Sequence, residues 1–238
     1  MRFSIPLRTP LVFVCWAVFV LAGYAETVDA SLQVHMTRLG KSVGQISGSS
    51  GVVVWLTPLS PTTVDFKPKP GHYRLLQKDK TFTPHLLVIP TGSSVDFPNL
   101  DPFYHNVFSF FNGKRFDLGL YESGSSRTVH FDHDGVSYIF CNIHPEMSAV
   151  IITLSTPYFG VSAADGSITL HAIPPATYEM HVWAEGSSAG DLNALSRRVI
   201  VTPSQKDLGI VDVTVDSHLP AHKNKFGEDY QSPNDSIY

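Results

Sequence analysis

The residues best able to do chemistry lie in Tyr138-Ile139-Phe140-Cys141-Asn142-Ile143-His144-Pro145-Glu146-Met147, where a thiol, an imidazole and a thioether recur three residues apart as C-x2-H-x2-M. These are the soft and borderline donors that copper prefers, and Glu146 is the one carboxylate, the donor hard cations require, among them. A trigonal site needs a second imidazole from elsewhere in the chain. His105 is the candidate: a strand through Val95-Asp96-Phe97 ends in a turn carrying Pro98 and Pro102, and a second strand starts directly at the histidine. Taken singly, a Cys and a Met at a strand end are more often core residues than ligands. Taken together, with a distant His-Asn and one cysteine left after the first 25 residues, they form a specific signal.

The remaining histidines, His35, His72, His85, His130, His133, His171, His181, His218 and His222, are scattered, with no pair backed by a thiol or a carboxylate cluster. Surface or satisfied polar roles are expected for them. His85, in Phe82-Thr83-Pro84-His85-Leu86, is the one to watch, although an extra imidazole would crowd a donor set already complete.

The segment from about Phe82 to Leu154 resembles the cupredoxins, and within them plastocyanin and amicyanin, through His105-Asn106-Val107 and the Cys-His-Met loop. The two-residue gap between His144 and Met147 is similar to that of amicyanin. The resemblance implies one copper ion cycling between Cu(I) and Cu(II), with His105, Cys141 and His144 as equatorial ligands and Met147 as the weak axial one. It also implies that Asn106 supports the site from behind the ligands by a hydrogen bond to Asn142. All four metal positions would be filled by protein, whereas catalytic metals keep one open, so the expectation is an electron carrier serving redox protein partners and not an enzyme. Two other functions compete: a copper delivery or storage protein, which only four Met disfavour, and a β-sandwich binding module with an accessory copper site.

These residues need a frame. With 238 residues, 43% apolar and 16% charged, the chain can bury a sizeable core, and seventeen Pro, seventeen Gly and many Val, Phe, Tyr and Thr favour short strands and turns. Arg2 and Arg8 precede an apolar run from Leu11 to Ala22 that ends in Gly23-Tyr24-Ala25, the pattern of a cleavable export signal over residues 1–25. About 12 apolar residues fall short of the roughly 20 that span a bilayer, so a periplasmic or secreted protein without stable membrane insertion is expected. Cleavage would remove Cys15 and leave Cys141 without a disulfide partner in an oxidising compartment. It would also leave fifteen Lys and Arg against twenty-one Asp and Glu, with no basic patch suited to nucleic acid.

The expected fold class is all-β: a cupredoxin Greek-key sandwich, residues 75–154, inserted in or joined to a second, smaller immunoglobulin- or transthyretin-like sandwich. The second part would be split, 27–66 plus 155–216. Its signals are the alternating Leu32–Met36, the apolar Gly51–Leu56, Asp165-Gly166 as a hairpin turn, Ile173-Pro174-Pro175-Ala176-Thr177-Tyr178, and the runs Arg198–Val201 and Ile210–Val215. This stretch resembles the carboxypeptidase regulatory-like, transthyretin-like sandwiches, with Ala176 where their P-P-G-x-Y element carries glycine. Pro58 to Pro70 reads as a linker, Ser188 to Leu195 as a short helix or an ordered loop, and 217–238 as a mobile tail.

Overall fold

In a computed structural model, residues 26–39, 48–62, 67–110, 113–216 and 222–230 are described. The export signal expected over 1–25 lies outside them. The chain is nearly all β. Strands β1 (Val28–Leu39) and β2 (Val53–Pro58) come first. Ten more follow, β3 (His72–Arg74), β4 (Leu76–Lys78), β5 (Thr81–Thr83), β6 (Leu86–Pro90), β7 (Ser93–Pro98), β8 (His105–Ser109), β9 (Phe116–Tyr121), β10 (Ser126–Phe131), β11 (Gly135–Phe140) and β12 (Ser148–Leu154). Then come β13 (Phe159–Val161), β14 (Ser167–Ile173), β15 (Ala176–Trp183), helix α1 (Ala189–Leu195), β16 (Arg197–Val201) and β17 (Asp207–Asp216).

The strands form four main sheets, ordered β14-β1-β17, β13-β2-β15-β16, β6-β12-β11-β8-β9 and β10-β7-β3, plus the β4-β5 hairpin. The first two sheets draw only on the ends of the chain and the other two only on its middle. Three apolar clusters lie between them. One, with Val34, Leu56, Tyr178 and Val213, joins the first two sheets. Another, with Phe97, Val107, Phe131, Ile139 and Ile151, joins the last two. The third, Val53, Val150, Ile152, Leu154 and Trp183, seals the second sheet against the third.

Strands β2 and β12 are therefore covered on both faces. In β2, Val54 and Leu56 enter the first cluster while Val53 and Trp55 enter the third. In β12, Ala149 and Ile151 point one way and Val150 and Ile152 the other. This is why both read as continuous apolar runs, whereas β1, with one face in water, alternates in burial along its length.

The Asp165-Gly166 turn forms but does not make the expected hairpin. Gly166 N–H donates to Ala163 O and Ala163 N–H to Ser167 O, yet β13 and β14 belong to different sheets, so the turn carries the chain across the sandwich. Gly166 is required there on two counts: its φ is 84°, and a Cβ would come within 2.1 Å of Val34 O on β1. Tyr178, from the proline-rich element, folds back so that its hydroxyl donates to Pro174 O at 2.7 Å, which anchors the start of β15. Helix α1 is capped by Ser188, whose side chain accepts from Asp191 N–H.

Candidate metal centre

The site is built where β8 starts and β11 ends, neighbouring strands of one sheet paired through Phe108 and Phe140. His105 opens β8, and Cys141 follows directly on β11, so both ligand positions are fixed by ladder hydrogen bonds and not by a free loop. The chain then turns tightly: Met147 N–H donates to His144 O at 3.1 Å and Cys141 N–H to Met147 O at 3.3 Å. Two residues between each donor pair suffice for this turn to bring His144 back over Cys141 and to return Met147 to the core at the head of β12.

Three donor atoms converge. Cys141 Sγ lies 3.8 Å from His105 Nδ1 and 3.6 Å from His144 Nδ1, and the two Nδ1 atoms are 3.1 Å apart. Among the described residues this is the one group of three or more His, Cys, Asp or Glu side chains whose donors close in this way. His105 and Cys141 are fully buried and His144 is half-buried. Met147 is fully buried in the same cluster as Cys141.

Burial is the largest influence on the titration of both Cys141 and His144. Burial pushes the Cys141 thiol above its usual range, and the backbone N–H groups of Asn106, Ile143 and His144 oppose this by favouring the anion. Burial, then the neighbouring His105, lowers His144, so its ring is held neutral. Phe103 packs against both rings, 5.2 Å from His105 and 5.6 Å from His144 by centroid, and shields them from water on that side.

The residue that sequence reasoning missed is Asp101. Its carboxylate, 4% exposed, lies 2.8 Å from His105 Nε2. Burial would raise this carboxyl, but the Lys80 N–H, His105 and the Asp79 N–H together hold it below the ordinary value. An ionised carboxylate can only accept, so Nε2 carries the proton and Nδ1 presents its lone pair toward Cys141 and His144. The buried Asn99 sets the loop in turn, accepting from Asp101 N–H and donating to Phe103 O. The one available signal was the spacing Asp101-x3-His105 across a turn.

The expected Asn106–Asn142 bond is replaced by a different arrangement. Asn106 Nδ2 donates to Asp117 Oδ1 at 2.7 Å, and Asn142 Oδ1 accepts from the Lys225 N–H at 2.8 Å. Asn106 is the second residue of β8, and its partner Asp117 lies on the neighbouring strand β9, where it pairs in register with Phe108. Asn106 still reaches the sulfur, through its backbone N–H. The tail also differs from expectation, because residues 222–230 pack against the ligand loop: His222 stacks on Phe140 at 4.2 Å, and Tyr230 Oη donates to Cys141 O at 2.5 Å. Of the tail histidines, His222 is thus a packed residue, and His218 lies outside the described residues. His85 is not among the donors; its Nε2 pairs with Glu185 at 2.7 Å and its Nδ1 lies 3.1 Å from Ser148 O.

No protein-family profile matches the chain, and no curated protein matches it in sequence. Solved structures match parts of it. A purple cupredoxin from Nitrosopumilus maritimus is 23% identical over 34% of this chain and 99% of its own, with a TM-score of 0.32. Amicyanin from Paracoccus versutus is 18% identical over 40% of this chain and 96% of its own, also with 0.32. A copper-containing nitrite reductase from Thermus scotoductus is 20% identical over 51% of this chain but only 28% of its own, with 0.34.

The donor set fits copper by its own geometry. With metal–sulfur and metal–nitrogen bonds of about 2.3 and 2.0 Å, a trigonal ion holds its S and N ligands roughly 3.7 Å apart and its two N ligands about 3.5 Å apart. The two sulfur–nitrogen separations, 3.6 and 3.8 Å, match, and the nitrogen pair is slightly closer. One thiol and two imidazoles, with a thioether residue buried alongside, are donor types that copper takes in trigonal sites.

Proposed function

We propose that this chain is a blue-copper protein of the cupredoxin kind, carrying single electrons between redox protein partners. The observation that carries the reading is the closure of His105 Nδ1, Cys141 Sγ and His144 Nδ1 into one triangle, buried except at His144, at the end of a sandwich. Copper bound there would supply a one-electron Cu(I)/Cu(II) couple. His105, Cys141 and His144 would hold it, with Met147 as the axial contact. Asp101 keeps the His105 proton on Nε2, the three backbone N–H groups favour thiolate, and Phe103 excludes water. A donor set fixed by strands changes little between oxidation states, which suits electron carriage.

The half-buried His144 is the natural electron port. Leu100, Phe103, Tyr104 and Ile143 are all exposed on the two loops that carry the donors. That apolar rim suits brief docking of a redox partner. We assign 75–154 to the copper sandwich and 27–66 plus 155–216 to a second, transthyretin-like sandwich. Two core clusters support that division. We further propose that residues 1–25 act as an export signal and that the protein works in the periplasm, a reading supported by Arg2 and Arg8 ahead of the apolar run from Leu11 to Ala22. Copper-loaded protein should show an intense visible thiolate-to-copper band at one copper per chain, together with a reversible one-electron couple. A colourless oxidised protein, or copper without a reversible couple, would sink the reading.

A further inference from the structure

We propose that the C-terminal stretch 222–230 is a working part of the metal centre, with Tyr230 and Lys225 as positioning residues for the cysteine loop; this rests on the copper reading above. Two of its bonds end on Cys141 and its neighbour Asn142, and a third ends on Asp117, which holds Asn106 beside His105. Tyr230 Oη donates to the carbonyl of Cys141 at 2.5 Å. The Lys225 N–H donates to Asn142 Oδ1 at 2.8 Å, and Lys225 Nζ pairs at 2.8 Å with Asp117, the partner of Asn106.

The stretch therefore grips both sides of the site at once. On the β11 side it fixes the peptide of Cys141 and the side chain of Asn142. On the β8 side it reaches Asn106, whose backbone N–H points at the Cys141 sulfur, through Asp117. The grip is seated by rings: His222 stacks on Phe140, the residue before Cys141, and Tyr230 meets His222 edge-on at 5.2 Å with its hydroxyl 3.2 Å from His222 Nδ1. Residues outside the donor set that orient it typically govern metal retention by 10–100-fold. Here they are supplied by a segment that lies beyond the last strand of either core, in a stretch whose sequence has no periodicity.

The deciding experiment compares Tyr230→Phe, Lys225→Met and Lys225→Arg in the whole mature chain. Two readings are taken: copper retention against a chelator, and the rate at which a small thiol reagent modifies Cys141 in the metal-free protein. Tyr230→Phe and Lys225→Met should each lose about tenfold or more in copper retention and speed modification of Cys141 by a similar factor. Lys225→Arg should remain near the parent, and the melting temperature of all three metal-free proteins should stay close to it. Unchanged modification rates and unchanged retention in folded variants would overturn the proposal. Parent protein that takes up no copper would refute the copper reading instead, and the thiol rates would still decide the role of the strap.

Discussion

At the scale of single residues, the decisive group beside the donors is Asp101. A histidine alone can present either nitrogen to a metal, and the carboxylate at Nε2 removes that freedom. The Asp101 carboxylate is also a buried negative charge close to the site, so it favours the more positive oxidation state. Asp101→Asn should therefore raise the reduction potential and weaken copper binding by about 10–100-fold. Potentiometry and chelator competition on the loaded protein read the two effects, and an unchanged potential would show that the carboxylate only packs. The grouping of His105, Cys141 and His144 was legible because soft ligands at fixed short spacing are rare. Asp101, Asp117, Lys225 and Tyr230 were not, since an acid, a lysine or a tyrosine on a polar stretch looks the same whether it faces water or a ligand.

At the scale of elements, local rules predicted which segments are strands better than they predicted where those strands go. The alternation in Leu32–Met36 and the apolar Gly51–Leu56 both became strands, β1 and β2. Neither pattern stated that β2 would be covered on both faces, because a continuous apolar run is compatible with a buried strand in many layer orders. Asp165-Gly166 marks a reversal in the same way: the turn is local, but the sheet each arm joins is decided by packing. Gly160 illustrates the pressure, since a Cβ there would meet Ile168 Cγ2 at 2.5 Å where β13 crosses β14. Gly166→Ala is the sharper test, because it combines a positive φ with a collision on the backbone of β1. It should destabilise the protein by about 1–3 kcal/mol, seen as a lower denaturant midpoint, while leaving any copper band in place. A neutral result would mean the crossover turn can relax away from β1.

At the scale of the whole molecule, the second and third sheets meet in an apolar seam with an ionisable pair at its margin. The seam buries Val53, Val150, Ile152, Leu154 and Trp183. The pair is His85, just before β6, with Glu185, just after β15, at 2.7 Å. The hydrogen bond to Glu185 raises His85 above its ordinary value, against the opposing effect of burial. A raised value in the folded state means the folded protein binds the proton more tightly than the unfolded chain. The stabilisation is then fully present below the unfolded value of about 6.5 and fades as the pH climbs through the folded one. Both side chains are partly exposed, so solvent and salt reduce the effect. Glu185→Gln should accordingly lower the melting temperature most between about pH 5 and 6, where His85 is charged. The gap between parent and variant should close toward pH 8, and added salt should shrink it at the acidic end. Melting curves across that range decide the matter: a gap independent of pH would mean that Glu185 supports the seam by packing alone, and that the junction between the two sheets carries no proton linkage.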